Sequence, residues 1–320
     1  MKVTCLANSK AINSNPNPHT VKRIIGLIRL LFAISLLAMP GMLRAQSIGH
    51  YVPGLEGIKG ASLPPPGLYL RDYNLFYSSS EFNNAAGNKI TAAGLDAFTY
   101  ANAPRLVWIT DTKIFGGFLG VDALVPLIYQ SVGVNTPGGR FRDSTFGIGD
   151  LFAEATLSWH LQRFDLSLGA GSWAPTGDSS APPSTLAGSG FWTPMFTAGI
   201  TWYMDTEKTW SVSALSRYEI NTEQRDTHIT PGQVYTLEWG IAKTLNKTID
   251  LGVVGYLQQQ TTRGNVSGSS NLGSVAAIGP EISMAFPKPM LFVSFRYLHE
   301  FMAKDRAQGE TFSLTLTKRF

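Results

Sequence analysis

The 320-residue chain is poor in cysteine and in charge. Its single cysteine is Cys5, and Asp, Glu, Lys and Arg together make up 15% of it. If the region around Cys5 is removed, no disulfide is available, so an exported chain needs another source of stability. Beyond Ala45 no apolar run approaches the ~20 residues of a spanning helix. No Cys or His cluster has the spacing of metal ligands, so neither metal nor cofactor is expected. "GAGSWA" at 169–174 mimics a dinucleotide loop but opens no helix-forming stretch, and small residues within a strand explain it better.

The first 45 residues stand apart. They hold Lys2, Lys10, Lys22, Arg23, Arg29 and Arg44 and no acid. An apolar run, "LLFAISLLAM", spans Leu30 to Met39, is broken by Pro40 and Gly41, and is followed by the small-residue cleavage site "LRA" ending at Ala45. This is the plan of a secretory signal peptide, expected to be removed. The full chain has 26 basic and 22 acidic residues; without the leader 20 remain against 22, a formal charge of −2. The basic balance belongs to the leader, and no nucleic-acid partner is expected.

What recurs after the leader is period two. In "FLGVDALVPLIYQSV", Leu119, Val121, Ala123, Val125, Leu127 and Tyr129 share one parity against Gly120, Asp122, Pro126 and Gln130, with Leu124 and Ile128 as exceptions. In "GDLFAEATLSWH", apolar residues alternate with Asp150, Glu154, Thr156, Ser158 and His160. "WSVSALSRYEIN", "LFVSFRYLHEF" and the final "TFSLTLTKRF" repeat the pattern. Successive strand side chains point to opposite faces, so these are strands with one oily and one polar face. The spans near 67–77, 102–114, 118–132, 146–160, 163–174, 190–203, 209–221, 233–245, 248–262, 273–286, 290–303 and 309–320 make about 12 strands. Most exceed the usual five or six residues of soluble strands and suit a tilted bilayer crossing.

The links alternate in length. "FGG" at 115–117, "MDTEK" at 204–208, "NK" at 246–247 and "PKP" at 287–289 are short. Links at 78–101, 133–145, 175–189, 222–232 and 263–272 are longer, and 304–308 is the short exception in that series. Tight turns on one side and long loops on the other describe an outer-membrane barrel, whose edges must close in lipid. The expected fold is all-β, a transmembrane antiparallel up-and-down β-barrel over 67–320, with both chain ends on the periplasmic side. Residues 46–66, rich in Gly and Pro, are expected as a periplasmic tether, with a plug as the other reading. The loop at 78–101 is a candidate constriction. Trp159, Trp202, Tyr203, Trp210 and Trp239 are expected at the membrane–water interface.

"GHYVPGLEGIKGASLPPPGLYLRDYNLFYSSSEFNN", "GIGDLF" (147–152), "WAPTGD" (173–178), "ITPGQVYTLEWG" (229–240), "GYLQQQTTRG" (255–264), "IGPEIS" (278–283) and the last 24 residues occur in an order that resembles the meta-pathway phenol-degradation family of outer-membrane proteins. The resemblance implies an outer-membrane channel for aromatic or other apolar compounds. A terminal Phe320 on an alternating strand also resembles the signature read by the barrel-assembly machinery.

The polar parity supplies the lumen candidates: Asp122, Gln130, Asp150, Glu154, Asp165, Arg217, Glu219, Glu238, Gln258, Gln260, Arg296 and Glu300. Paired across a narrow interior they hold the barrel up; facing a path they set selectivity. The expected function is passive uptake of small apolar or aromatic solutes by a monomer in outer-membrane lipid. The alternatives are a structural or adhesive barrel with a blocked lumen and, remotely, a lipid hydrolase using His160.

Overall fold

The computed structural model describes residues 49–90, 94–136, 139–179, 185–265 and 272–320; the leader lies outside them. Among the described residues are fourteen strands: β1 (Gly67–Asn83), β2 (Gly94–Ile114), β3 (Gly117–Leu124), β4 (Leu127–Thr136), β5 (Gly139–Ile148), β6 (Leu151–His160), β7 (Phe164–Ala174), β8 (Thr193–Tyr203), β9 (Trp210–Glu219), β10 (Val234–Leu245), β11 (Ile249–Gln260), β12 (Ser274–Phe286), β13 (Leu291–Lys304) and β14 (Arg306–Arg319). All pairings are antiparallel. β1 pairs with both β2 and β14, so the sheet closes.

Twelve strands form the ring, and β4 and β5 add a hairpin to it. β2 is 21 residues long: its second half pairs with β3 and its first half with β4. β3 in turn pairs with β6, while β4 pairs with β5. The expected single strands 118–132 and 146–160 are therefore each broken once. Pro126, which has no N–H to donate, breaks the first. Gly149 breaks the second, donating its N–H to the Pro126 carbonyl at 2.7 Å. A Cβ on Gly149 would stand 2.7 Å from Pro126 Cγ, so the kink needs a glycine.

Two expectations about links are corrected. The segment 78–101 is not a long loop folded inward: β1 runs on to Asn83 and β2 starts at Gly94. Likewise 133–145 is largely strand, forming the tip of the β4–β5 hairpin. Both stretches were missed because their apolar residues, such as Phe98, Tyr100 and Phe141, are interspersed with Gly, Asn, Thr and Arg, so no continuous oily face marks them. The short turns stand as expected at the opposite mouth. Asn246 and Lys247 both have positive φ (51° and 57°), the conformation that matches a two-residue turn to strand twist.

The two parities meet different surroundings. On β14, Thr311, Ser313 and Thr315 are buried in the lumen while Phe312 is 47% exposed on the outside. On β2, Ala103, Arg105, Val107 and Ile109 are buried, and Leu106 and Trp108 are more than half exposed. The outer wall is therefore largely an apolar belt. Leu124 and Phe152, which broke the polar parity in sequence, sit in the lumen, packed with Tyr51, Tyr73, Ala103, Trp173 and Met195.

Among the expected interface aromatics, Trp202 and Trp210 are 41% and 42% exposed near the short-turn mouth, where Trp159 donates its indole N–H to the Phe115 carbonyl. Tyr203 is a correction. It is only 5% exposed and faces the lumen, donating to Asp165 Oδ2 at 2.6 Å. Trp239 is the other: it lies mid-strand, its ring covering Gly255, where a Cβ would come within 2.6 Å. An aromatic near the end of a strand takes the wall or the lumen according to parity, and a mid-strand one fills the dent left by a glycine.

The outer belt generates a prediction. Val253 is 46% exposed at mid-strand on β11. Val253→Arg in phospholipid vesicles is expected to lose about 2–4 kcal/mol of unfolding free energy, as for Arg at the bilayer midplane. Urea titration followed by tryptophan fluorescence reads this; an unchanged midpoint would place Val253 away from lipid.

Candidate functional site

The lumen is filled by the chain itself. Residues 49–66 run along its interior from the long-loop half, where His50 meets Asp150, to the short-turn mouth, where Ser62 meets Tyr203. The expectation of a periplasmic tether is corrected on this point. Gly- and Pro-rich sequence suits a plug as well as a tether, because a chain without regular structure leaves its backbone N–H groups free for the wall, which supplies carboxylates.

Glu238 on β10 does most of this. Its Oε1 accepts the backbone N–H groups of Gly54 at 2.8 Å and Glu56 at 3.1 Å. Its Oε2 accepts Tyr51 OH at 2.8 Å and the Arg217 guanidinium. The guanidinium lies 4.1 Å above the Tyr51 ring. Glu219 takes the Tyr51 N–H at 2.8 Å. Glu281 takes the Ile58 N–H at 3.0 Å and pairs with Arg296 Nε at 2.8 Å, while Arg296 also donates to the Gly54 carbonyl. Hydrogen bonds to charged groups contribute about 1.5–3 kcal/mol each, so these contacts dominate the plug's attachment.

Glu56 returns the gesture from the plug. It accepts Tyr73 OH at 2.7 Å and pairs with Arg71 at 2.8 Å and Arg105 at 3.5 Å. Arg105 then reaches Asp122 at 2.8 Å and Glu154 at 3.2 Å, and Thr197 donates to Glu154 at 2.7 Å. At the short-turn mouth Lys59 pairs with Asp250 at 2.8 Å. At the other end His50 lies between Asp150 (2.8 Å) and Thr193 (2.7 Å), stacked on Trp173. Asp150 also accepts N–H groups from Gly177 and Ser189, which ties the plug to the 175–189 link.

Two glycines let the plug sit this close. A Cβ on Gly57 would stand 1.7 Å from Glu281 Oε2, and Gly54, at φ 84°, would place one 2.6 Å from Leu298. Among the described residues, a void of about 10 Å³ lies at mid-height between Leu55, Glu56, Tyr73, Arg105, Phe152 and Met195, room for about one water.

The sequence-derived lumen residues divide accordingly. Asp122, Glu154, Arg217, Glu219, Glu238 and Arg296 converge around the plug. Glu300 forms a second cluster with Tyr256 (2.6 Å), Tyr77 (2.9 Å) and Arg306 (3.6 Å), and Arg306 reaches Gln258 at 2.9 Å. Gln258 also donates to the Tyr51 carbonyl at 3.3 Å. Gln130 lies on β4 in the added hairpin, and Gln260 donates to the Thr262 carbonyl at the long-loop rim, so neither joins the plug. Asp165 pairs with His160 at 3.1 Å by the short turns. Phe320 follows β14 and donates its N–H to the Leu68 carbonyl at 3.0 Å. Arg71, Arg105, Glu56, Glu281 and Arg306 were missed. Arg105 sits on the inner parity of an expected strand, but its neighbours Ala103 and Val107 hid that face's polarity.

A family model described as "Putative MetA-pathway of phenol degradation" matches residues 79–316. The chain belongs to this family. No curated protein matches this family member in sequence. Among solved structures it is similar to the COG4313 outer membrane channel from Pseudomonas putida F1, with 13% identity, a TM-score of 0.70, and coverage of 85% of this chain and 100% of that one. The translocator domain of the autotransporter NalP from Neisseria meningitidis is a more distant match, with 9% identity, a TM-score of 0.47, and coverage of 81% and 90%. The first of these likenesses supports the outer-membrane barrel fold.

Displacing the plug is the test of this site. Gly57→Val is expected to expel the segment from Glu281 and Arg296, exposing the Lys59–Gly60 bond to limited trypsin digestion while heat-modifiable gel mobility persists. Cleavage at the wild-type rate would contradict the packing. Glu238→Ala removes the partner of Arg217 and the acceptor of two backbone N–H groups. It is expected to cost about 3–5 kcal/mol, the range for breaking a buried ion pair, read by urea unfolding of the refolded barrel.

Proposed function

We propose that this family member is an outer-membrane channel that passively admits small apolar or aromatic compounds, with residues 49–66 as its displaceable plug. One observation carries the reading: the lumen is closed by a tethered peptide rather than by side chains meeting across it. Behind that peptide, one wall is apolar. Tyr73, Leu124, Phe152, Trp173 and Met195 pack together there, with Leu55 of the plug against them. Moving the plug would bare this lining to a solute of matching character. The family's description, and the channel named among the similar structures, point the same way.

In this reading the short turns face the periplasm and the long loops face outward. The leader is removed on export, the barrel-assembly machinery reads Phe320, and the barrel works as a monomer. The near-complete seal at mid-height favours one rival, a blocked structural barrel. The remaining rival, a hydrolytic role, would rest on His160, whose Nδ1 pairs with Asp165 at 3.1 Å beside a turn.

Initial uptake of a radiolabelled monoaromatic hydrocarbon by porin-poor cells separates the readings. Cells carrying the protein are expected to take it up several-fold faster than empty-vector cells, and a disaccharide of similar size no faster. Equal aromatic uptake would leave the blocked barrel standing. Lipid hydrolysis lost in His160→Ala would revive the enzyme.

A further inference from the structure

The apolar belt has one breach. Asp72, Asn74 and Asn102 share the outward parity of Leu70, Phe76, Leu106 and Trp108, which are 38%, 40%, 52% and 55% exposed. Asn74 and Asn102 are direct partners across β1 and β2. Asp72 faces Pro104 on one side and Leu316 on the other.

The depth of this cluster follows from register. Phe76 belongs to an outward aromatic row that crosses six strands: Phe146, Tyr129, Tyr100, Phe76, Phe312 and Tyr297. Leu68, at the other end of β1, is opposite Trp108. Asp72 is four residues from each, about 13 Å along the strand either way at ~3.3 Å per residue. With the usual barrel tilt of about 35–45°, the eight residues between them rise roughly 20 Å along the barrel axis, most of an apolar band of about 25 Å. Asp72 stands at its middle.

The carboxylate is held in place by neutral groups. Asn102 Nδ2 donates to Oδ1 at 2.8 Å and Asn74 Nδ2 to Oδ2 at 2.9 Å. Tyr100 OH fixes Asn74 by donating to its Oδ1 at 2.8 Å. Among the described residues no ion pair reaches Asp72, whereas Glu56, Asp122, Glu154, Glu238 and Glu281 of the lumen each have an arginine. A carboxylate in hydrocarbon is costly without a cation, and an intramembrane ionisable group marks function by default. If the cluster served only to join β1 to β2, the two asparagines would suffice. The third member brings a carboxyl group that no cation among the described residues pairs with.

We propose that Asp72, Asn74 and Asn102 form a lipid-facing site for the ammonium head of a long-chain amine. The amine's N–H groups donate to Asp72, and its chain lies along Leu70, Leu106 and Leu316 toward the short-turn end. In low dielectric a cation is favoured over a neutral donor of the same length, because the Coulomb term grows as screening falls. The site needs no movement of the plug, so it stands or falls apart from the channel reading.

The test uses the full-length processed barrel in phospholipid nanodiscs, with dodecylamine as the probe and dodecanol as its neutral match. In the wild type, dodecylamine is expected to protect Asp72 from dicyclohexylcarbodiimide at concentrations at least tenfold below those at which dodecanol protects, read by peptide mass spectrometry as the unmodified peptide, so that the N-acylurea and any dodecylamide or dodecyl ester all count as reaction. In Asp72→Asn, calorimetric titration against empty nanodiscs is expected to lose the amine-over-alcohol preference, with heat-modifiable mobility and aromatic uptake retained. Equal protection by the two probes overturns the proposal, as does an unchanged preference in Asp72→Asn. Cross-linked dimers that vanish in Asp72→Asn without any amine preference would overturn it in favour of a self-association surface. The protection experiment decides on the wild type alone, even if the variant does not fold.

Discussion

The capture of backbone N–H groups by carboxylates inside a closed wall is what the rest of the molecule depends on. With residues 49–66 inside the ring, its interior holds buried charges beside apolar clusters. Charges there must find partners inside the lumen. Glu238, Glu219 and Glu281 find them in the backbone of residues 51–58 as well as in Arg217 and Arg296. The plug is therefore part of the wall's electrostatic balance rather than a filler. Removing either side leaves the other as buried charge, the expensive half of an ion pair.

This balance is uneven around the ring. The wall from β1 to β8 gives the lumen an apolar cluster around Phe152, Trp173 and Met195. The wall from β9 to β14 gives most of the carboxylates that hold the plug. Both kinds of contact hold the plug on both sides: Leu55 rests on the Phe152 cluster and Ile58 on Val254, Tyr256 and Leu298, while Glu56 pairs with Arg71 and Arg105. Apolar contacts are non-directional and tolerate sliding, while hydrogen bonds to carboxylates demand geometry. The outer face repeats the contrast in reverse: an apolar belt interrupted at mid-height by one hydrogen-bonded carboxylate, Asp72.

The barrel itself was legible because hydrocarbon and lumen sort side chains by parity. Runs such as Leu119 to Tyr129 showed the oily face, and the short links at 246–247 and 287–289 showed where chains reverse. The β4–β5 hairpin was not legible, since Gly133 to Thr145 alternates without a continuous oily face. Tyr203 and Asp150 carried the right parity but the wrong or incomplete role. Parity assigns a face; it does not say whether an inward tyrosine meets water, a carboxylate or a plug.

Sequence alone determined that the strands are two-faced, about how many there are, and that the chain closes on itself, because period two and a ban on open edges in lipid are local and general constraints. Tertiary structure decided that residues 49–66 fill the lumen, that Arg105 bridges Glu56, Asp122 and Glu154, and that Asp72 has two amides and, among the described residues, no cation. Those facts depend on register between strands far apart in the chain, and register is set by closure of the whole ring. No window of sequence contains it.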